Sequence, residues 1–340
     1  MPRRFRPQPC FSKPHNKRGA ANLAQTLMPD LSPHISFSQP ADTNAALQQA
    51  LVGRGDALDA IPTIPAILQT LIAELDQPAE KVNLIHVAEL IGRDESLAAQ
   101  CLRMANSALY GRGKRTSSLR GAVRTLGISH VRDAAISCAM IRIVPSQTAL
   151  DPVIFWEHSL GCAILSRKLA RSIGFDDPDK AYLAGLLHDV GYIVNMILWP
   201  APSKTVFERA SRENIFAGEC EFSELGFTHC QSGELLARKW NFSSEIVEAI
   251  QCHHDTQGAT IDVPLVAIVA LADRLCRSSG LGLGYAEIPD PALLYQYEWK
   301  LLTERFPLAK QLTWSEFVKD SDAYFAEIRD LVTAMYQGRS

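Results

Sequence analysis

From Ile61 onward, apolar residues recur at spacings of three and four instead of alternating, so almost every segment reads as helix. Pro62 and Pro65 open a helix with Ile64, Ile67, Leu68, Leu71 and Leu75 on its apolar face, and a second helix covers about 83–92. Asp94 is placed to cap a helix over 95–106 that carries Leu97, Cys101, Leu102 and Ala105 on one side. Tyr110–Ser118 reads as a basic, Gly-containing loop. Ser118 starts a helix through Thr125 that Gly127 ends, and Ser129 starts the next. A long helix then runs from Pro152 to Ile173 and stops at Gly174. Asp177–Pro178 supplies a cap and a first-position proline for a helix that delivers His188–Asp189, and Gly191 predicts a break before 193–198. Thr228 and Gln231 fit a capping box, which puts His229 in the first turn of a helix ending near Asn241. Ser243 or Ser244 opens a helix ending at His253–His254, and Asp262 and Pro264 open the helix of Asp273. The stretch 291–337 holds two or three more helices, one started by Asp290–Pro291. With no run of alternating apolar residues and no internal repeat, the expected fold class is all-α.

The pattern fails at the front of the chain. Seven of the 19 prolines fall in the first forty residues, among Ser, Asn and Gln and without Trp or Tyr, so residues 1–56 are expected to lack order. Met28 offers an alternative start within that segment. The remainder divides into an N-terminal helical lobe (57–150), a second helical lobe (151–280) and a helical extension (281–340). No receiver, cyclase or kinase domain is recognisable in these 340 residues, so input and output are expected from other proteins or a small ligand. Apolar residues at 47% and charged residues at 21% suit a globular chain. No apolar run of membrane-span length stands out, and residues 1–20 lack the apolar core of a secretory signal. Eight cysteines without a Cys-x-x-Cys pair predict reduced thiols and a cytoplasmic location.

Net charge is −3 but unevenly placed. Residues 1–20 carry six basic residues and no acid, and the window 96–132 carries Arg103, Arg112, Lys114, Arg115, Arg120, Arg124 and Arg132, again without an acid. Such a window suits an anionic nucleotide or an acidic partner. The helix–Gly–helix from Ser118 to Val144 has a faint likeness to a helix-turn-helix, but a solvated basic face over ordinary core helices accounts for it better.

Candidate chemistry lies in the second lobe. His158, His188, Asp189, His229, His253, His254 and Asp273 hold five of the nine histidines in little over a hundred residues. They are too far apart in sequence for a local zinc motif, so any site must be assembled by packing several helices. His158 shares an apolar face with Cys162, Leu165 and Leu169, where a lone histidine is usually a hydrogen-bonded core residue. Asp273 shares one with Val266, Val269 and Ala270, where a carboxylate needs a metal, an arginine or a histidine to offset several kcal/mol of desolvation. Imidazole with carboxylate suits divalent Zn, Fe, Mn or Ni, in a mono- or dinuclear site.

The run Leu186–Gly191 resembles the His-Asp doublet of the HD superfamily of metal-dependent phosphohydrolases. That resemblance implies metal ligands at His158, His188, Asp189 and Asp273. In the dinuclear HD-GYP cyclic-dinucleotide phosphodiesterases three further histidines complete the site, and His229, His253 and His254 occupy the matching places. The phrases Ile61–Pro65, Val87–Ile91, Asp94 through Asn106–Ser107 and Leu119–Gly127 are more specific, and by them the chain is identified as a member of the HDOD family over about 58–277. The family implies a two-lobed, all-helical fold with an HD-like bundle as second lobe, and a role in bacterial signalling and regulation, mostly without catalysis. Three departures weaken an enzymatic reading. Tyr192 stands where a phosphate-binding lysine would follow the doublet, Ile154 where some dinuclear enzymes place a metal-binding glutamate, and no Gly-Tyr-Pro loop follows His254. The expectation is a non-catalytic regulatory protein with a metal-capable His/Asp cluster and signalling proteins as partners. Nucleic acid and membrane are not expected partners. The alternative is a metal-dependent phosphohydrolase or cyclic-nucleotide phosphodiesterase.

Overall fold

The computed structural model describes residues 43–51, 60, 63, 70, 71, 74, 81–111, 115–143, 148–284 and 296–336, and among these every regular element is helical. The helix expected from Pro62, the basic residues 1–20, Arg112 and Lys114, and the start at Asp290–Pro291 lie outside the described residues. One helix appears where composition predicted no order: α1 (Thr43–Leu51) buries Leu47 against the helix that begins at His229. Ala46, Leu47, Ala50 and Leu51 fall on one helical face, a local pattern that the surrounding proline-rich composition hides.

Next along the chain come α2 (Leu84–Gly92), α3 (Glu95–Asn106) and α4 (Leu119–Ile143). Asn83 accepts from the Ile85 and His86 amides, and Asp94 accepts from the Leu97 amide at 2.9 Å, so both helices start where polar caps precede apolar runs. Gly127 interrupts α4 with φ 75° and ψ 174°, a left-handed φ that favours glycine. Val87, Leu90, Ile91, Leu97, Cys101 and Leu126 form the packed interior.

Among the helices that follow, α5 (Pro152–Ile173) is the axis. Packed on it or around it are α6 (Pro178–Leu187), α7 (Val190–Leu198), α8 (Pro200–Glu213), α9 (Ala217–Leu225), α10 (His229–Lys239), α11 (Ser244–Cys252) and α12 (Val263–Ser278). Asp177 accepts from the Lys180 amide, Thr228 and Gln231 make the expected capping box, and Asp262 accepts from the Leu265 amide. Gly191 corrects the sequence reading: it lies inside α7, and the break falls earlier, at His188–Asp189. A Cβ at Gly191 would stand 1.8 Å from the His229 carbonyl oxygen and 2.7 Å from the Gly233 nitrogen. The glycine is there for backbone-to-backbone contact between α7 and α10, not for freedom to turn.

Across the α6–α7 break, Pro178–Leu198 covers 21 residues whose most apolar 18-residue window has a mean hydropathy of 1.4, and 89% of that window is buried inside the fold. After α12 come α13 (Gln296–Arg305) and α14 (Trp314–Tyr336), and α14 packs on both α3 and α5.

A buried ion cluster ties α4 to α5 and α6. Arg167 of α5 donates through both terminal nitrogens to Asp133 of α4, holds its Nε 3.1 Å from Asp179, and lies 4.1 Å from the centre of the Tyr182 ring. Asp179 also accepts from Ser129 at 2.7 Å.

Candidate metal centre

All seven of the sequence-predicted ligands meet at one place. His158 comes from the middle of α5, His188 and Asp189 from the α6–α7 break, His229 from the first turn of α10, His253 and His254 from the end of α11, and Asp273 from α12. His158, His188, Asp189 and His229 are wholly buried, and His253 and Asp273 almost so. The His254 side chain alone keeps appreciable exposure, at 17%.

Asp189 divides the cluster in two. Its Oδ2 faces His158 Nε2 at 3.3 Å and His188 Nε2 at 3.4 Å, and Asp273 Oδ1 lies 3.1 Å from His158 Nε2. Its Oδ1 faces His229 Nε2 at 3.3 Å and His253 Nε2 at 3.5 Å. One carboxylate therefore presents an oxygen to each half-site.

The imidazoles are oriented from behind. Nδ1 of His158 donates to the Leu281 carbonyl at 2.7 Å, that of His188 to Gly185 at 2.8 Å, and that of His253 to Ile250 at 2.8 Å. His229 Nδ1 donates to Glu221 Oε2 at 2.7 Å. A carbonyl oxygen has no proton to give, so Nδ1 must carry one, and in the neutral rings the Nε2 lone pairs point inward. They point at carboxylate oxygens that are acceptors themselves. Neither Asp189 oxygen, nor Nε2 of His253 or His254, has a hydrogen-bond partner. Buried acceptors facing buried acceptors require a cation, and imidazole with carboxylate is a donor set that fits a divalent transition metal.

Without a metal, protons fill the same role. Burial opposes charging of His158, His188 and His229, but adjacent Cys162, Asp189, Asp273 and Glu221 outweigh it and raise all three rings well above the ordinary histidine range. Burial likewise opposes ionisation of Asp189 and Asp273, and neighbouring imidazoles, with Arg277 beside Asp273, hold both well below the carboxylate range. His253 goes the other way: burial pushes it down to about 4, despite the carboxylate of Asp189. A metal loading here must displace protons.

The HDOD domain family matches residues 61–256, more than half of the chain. This chain belongs to the HDOD family. An HDOD domain protein of unknown function from Geobacter sulfurreducens is 28% identical, with a TM-score of 0.74 over 86% of this chain and 98% of that one. A Marinobacter aquaeolei VT8 structure, named for a suspected role in signal transduction, has a TM-score of 0.66 at 23% identity over 87% of this chain and 66% of that one. An uncharacterized protein of Treponema pallidum (strain Nichols) is 27% identical over 248 residues, 71% of this chain and 47% of its own length. Ribonuclease Y of Mycoplasma mycoides is 30% identical over 121 residues, 36% of this chain and 22% of its own. This HDOD chain thus spans less than half the length of either relative.

Within this HDOD protein the three departures take physical form. Tyr192 stacks on His229, with ring centres 4.0 Å apart and planes 20° apart, so an aromatic ring covers one flank of the cluster. Ile154, a turn before His158, is 36% exposed and carries no donor atom. After His254 the chain enters a short 3-10 turn, Thr256–Gly258.

Three contributors went unread in the sequence. Glu221 of α9, fully buried, accepts from both the backbone and the ring of His229 and is itself held by Asn195. No spacing rule links it to its partner. Cys230 follows His229, with Sγ 3.6 Å from the His229 Nε2. Arg277 stands four residues after Asp273 and donates from Nε to its Oδ1 at 2.6 Å, with Nη2 3.6 Å from Asp189 Oδ2. That i,i+4 spacing was the available signal.

Proposed function

We propose that this HDOD protein is a regulatory module of bacterial signal transduction whose His/Asp constellation holds a divalent transition metal to cross-link helices, without turning over a phosphoester. The observation that carries this reading is the inward set of oriented imidazoles around Asp189, whose oxygens have no donor. Sealing by burial and by the Tyr192 ring supports a structural over a catalytic role, because a phosphoester needs room beside the metal. The suspected signalling role in the name of the Marinobacter relative agrees with it. Partners on this reading are signalling proteins, with an anionic nucleotide as a small ligand for the basic window. Nucleic acid fits less well. Among the described residues in the second half of α4, Val131, Ala134, Ala135 and Ile136 are buried and Asp133 is bound to Arg167, which argues against a recognition face there.

A bound metal would join five separate helical elements and so contribute folding free energy directly. Elemental mass spectrometry of purified protein beside Asp189→Ala tests it. One or two transition-metal ions per chain, lost in the variant, is the expected result. No metal after reconstitution would overturn the metal reading and leave a scaffold with a polar core.

A second reading, a metal-dependent phosphohydrolase or phosphodiesterase, draws on the completeness of the seven-residue set and on the partial likeness to ribonuclease Y. A metal there would lower the pKa of a bound water and polarise a phosphoryl oxygen. It requires hydrolysis, abolished in Asp189→Ala, of at least one substrate in a broad phosphoester panel with Mn, Fe or Ni supplied.

A further inference from the structure

The two half-sites flanking Asp189 are not equivalent. In the half built from His158, His188 and Asp273, a cation is already in place. The Arg277 guanidinium donates to Asp273 Oδ1 at 2.6 Å and lies 3.6 Å from Asp189 Oδ2. These are the same oxygens that face His158 Nε2 at 3.1 and 3.3 Å. Arg277 is almost wholly buried and its head stands over the Phe216 ring at 5.7 Å. A divalent ion entering that half would meet a fixed positive charge sharing its carboxylates, at buried residues where solvent screens the repulsion little.

Each half also offers a sulfur, Cys162 beside His158 in the first and Cys230 in the other, but the guanidinium shares the carboxylates of the first alone. His229, Cys230, His253 and His254 each offer an atom, and all four lie within 4.8 Å of one another. Cys230 is buried, and Nε2 of His253, a residue 1% exposed, has no hydrogen-bond partner. Glu221 behind His229 Nδ1 strengthens that ring as a ligand. Asp189 Oδ1 closes the set from below, 3.3 Å from His229 Nε2. Three imidazoles and a thiolate would supply a nitrogen–sulfur donor set, the preference of zinc-class ions and not of manganese or magnesium.

We infer that the juxtaposition of Arg277 against one half-site and Cys230 against the other makes this a mononuclear, zinc-class centre held by His229, Cys230, His253 and His254, with Arg277 as resident cation in place of a second ion. This rests on the metal-binding reading above. It narrows that reading to one ion, one half-site and one metal class. On loading, the Cys230 thiol releases its proton to solvent and the ion takes the thiolate.

The test is cobalt(II) reconstitution of the full chain, read by elemental stoichiometry and electronic absorption. Wild type is expected to take one cobalt per chain, with an intense thiolate-to-cobalt charge-transfer band and a tetrahedral visible spectrum. Cys230→Ser is expected to lose the charge-transfer band and to weaken retention by ten-fold or more. Arg277→Met is expected to raise stoichiometry from one toward two, and Arg277→Lys, which keeps the charge, to stay at one. Two ions in wild type, or one ion without the thiolate band, would overturn the inference while leaving metal binding intact. No ion at all would overturn both. A folded Arg277→Met that still binds one ion would remove the resident-cation half. If that variant does not fold, the wild-type count and spectrum with Cys230→Ser still decide the matter.

Discussion

Helix α5 carries two buried charged clusters of opposite character. At Arg167, nine residues toward its C-terminus, both Asp133 oxygens meet a donor: a guanidinium spans Asp133, approaches Asp179 and covers the Tyr182 ring. At His158, an oriented lone pair faces Asp189, neither of whose oxygens has a donor. The first cluster pairs its charges within the protein and serves to hold α4 on α5. The second is complete only when something positive is added. Buried polarity marks a ligand site when its donors and acceptors fail to balance, and a structural site when they do.

The sharpest way to break the contrast is at the balanced cluster. Arg167→Ala strands the Asp133 carboxylate and is expected to lower stability by about 3–5 kcal/mol, equally with and without metal, as read by urea unfolding. A loss that depended on metal would dissolve the distinction. Gly191→Ala, which drives a methyl group into the His229 carbonyl, is expected to cost about 3 kcal/mol and to displace His229 from Asp189, so that metal retention falls along with the melting temperature. Asp189→Asn should separate the two states. Metal-free protein changes by about 1 kcal/mol or less, because the new amide can donate to a facing ring. Wild type alone gains about 2.7 kcal/mol when free metal is 100-fold above Kd. Equal stabilisation of both proteins by metal would place the ion elsewhere.

The smallest effect comes from a surface control, Lys180–Glu245, which joins α6 to α11 at 3.1 Å. The amide at its own helix start, together with Lys180, lowers the Glu245 carboxyl from 4.5 to about 2. A depressed carboxyl stabilises above its unfolded value, so the contribution is full at neutral pH and disappears as pH falls from about 4.5 toward 2. Glu245→Gln should therefore cost under about 1 kcal/mol at pH 7 and nothing at pH 2, measured by denaturant midpoints.

The helical fold and the seven-residue set were legible because each rests on a local rule. Asp94, Asp177, Thr228 and Asp262 cap their helices as their spacing requires, and the apolar faces of His158 and Asp273 signal buried positions. What escaped depends on contacts between segments distant in sequence. Glu221 reaches His229 across a loop, and Arg167 meets Asp133 on a different helix, with nothing local to announce either pair. Gly191 was read as a local hinge because its real partner, the His229 backbone, is thirty-eight positions downstream. The order at Thr43–Leu51 was concealed by averaging over a proline-rich segment.

Helix α14 has a consequence for the order of events during synthesis. Arg329 of α14 donates to the Gly280 carbonyl, next to the Leu281 carbonyl that receives His158 Nδ1, while Lys168 of α5 donates to Ser321 of α14. A nascent chain that has emerged through α12 already contains every ligand, yet the strut that steadies the aim of the first one is still inside the ribosome. Long-range closure of this kind is slow compared with helix formation. The growing protein can therefore gather its imidazoles early, and it acquires their final orientation only after α14 docks.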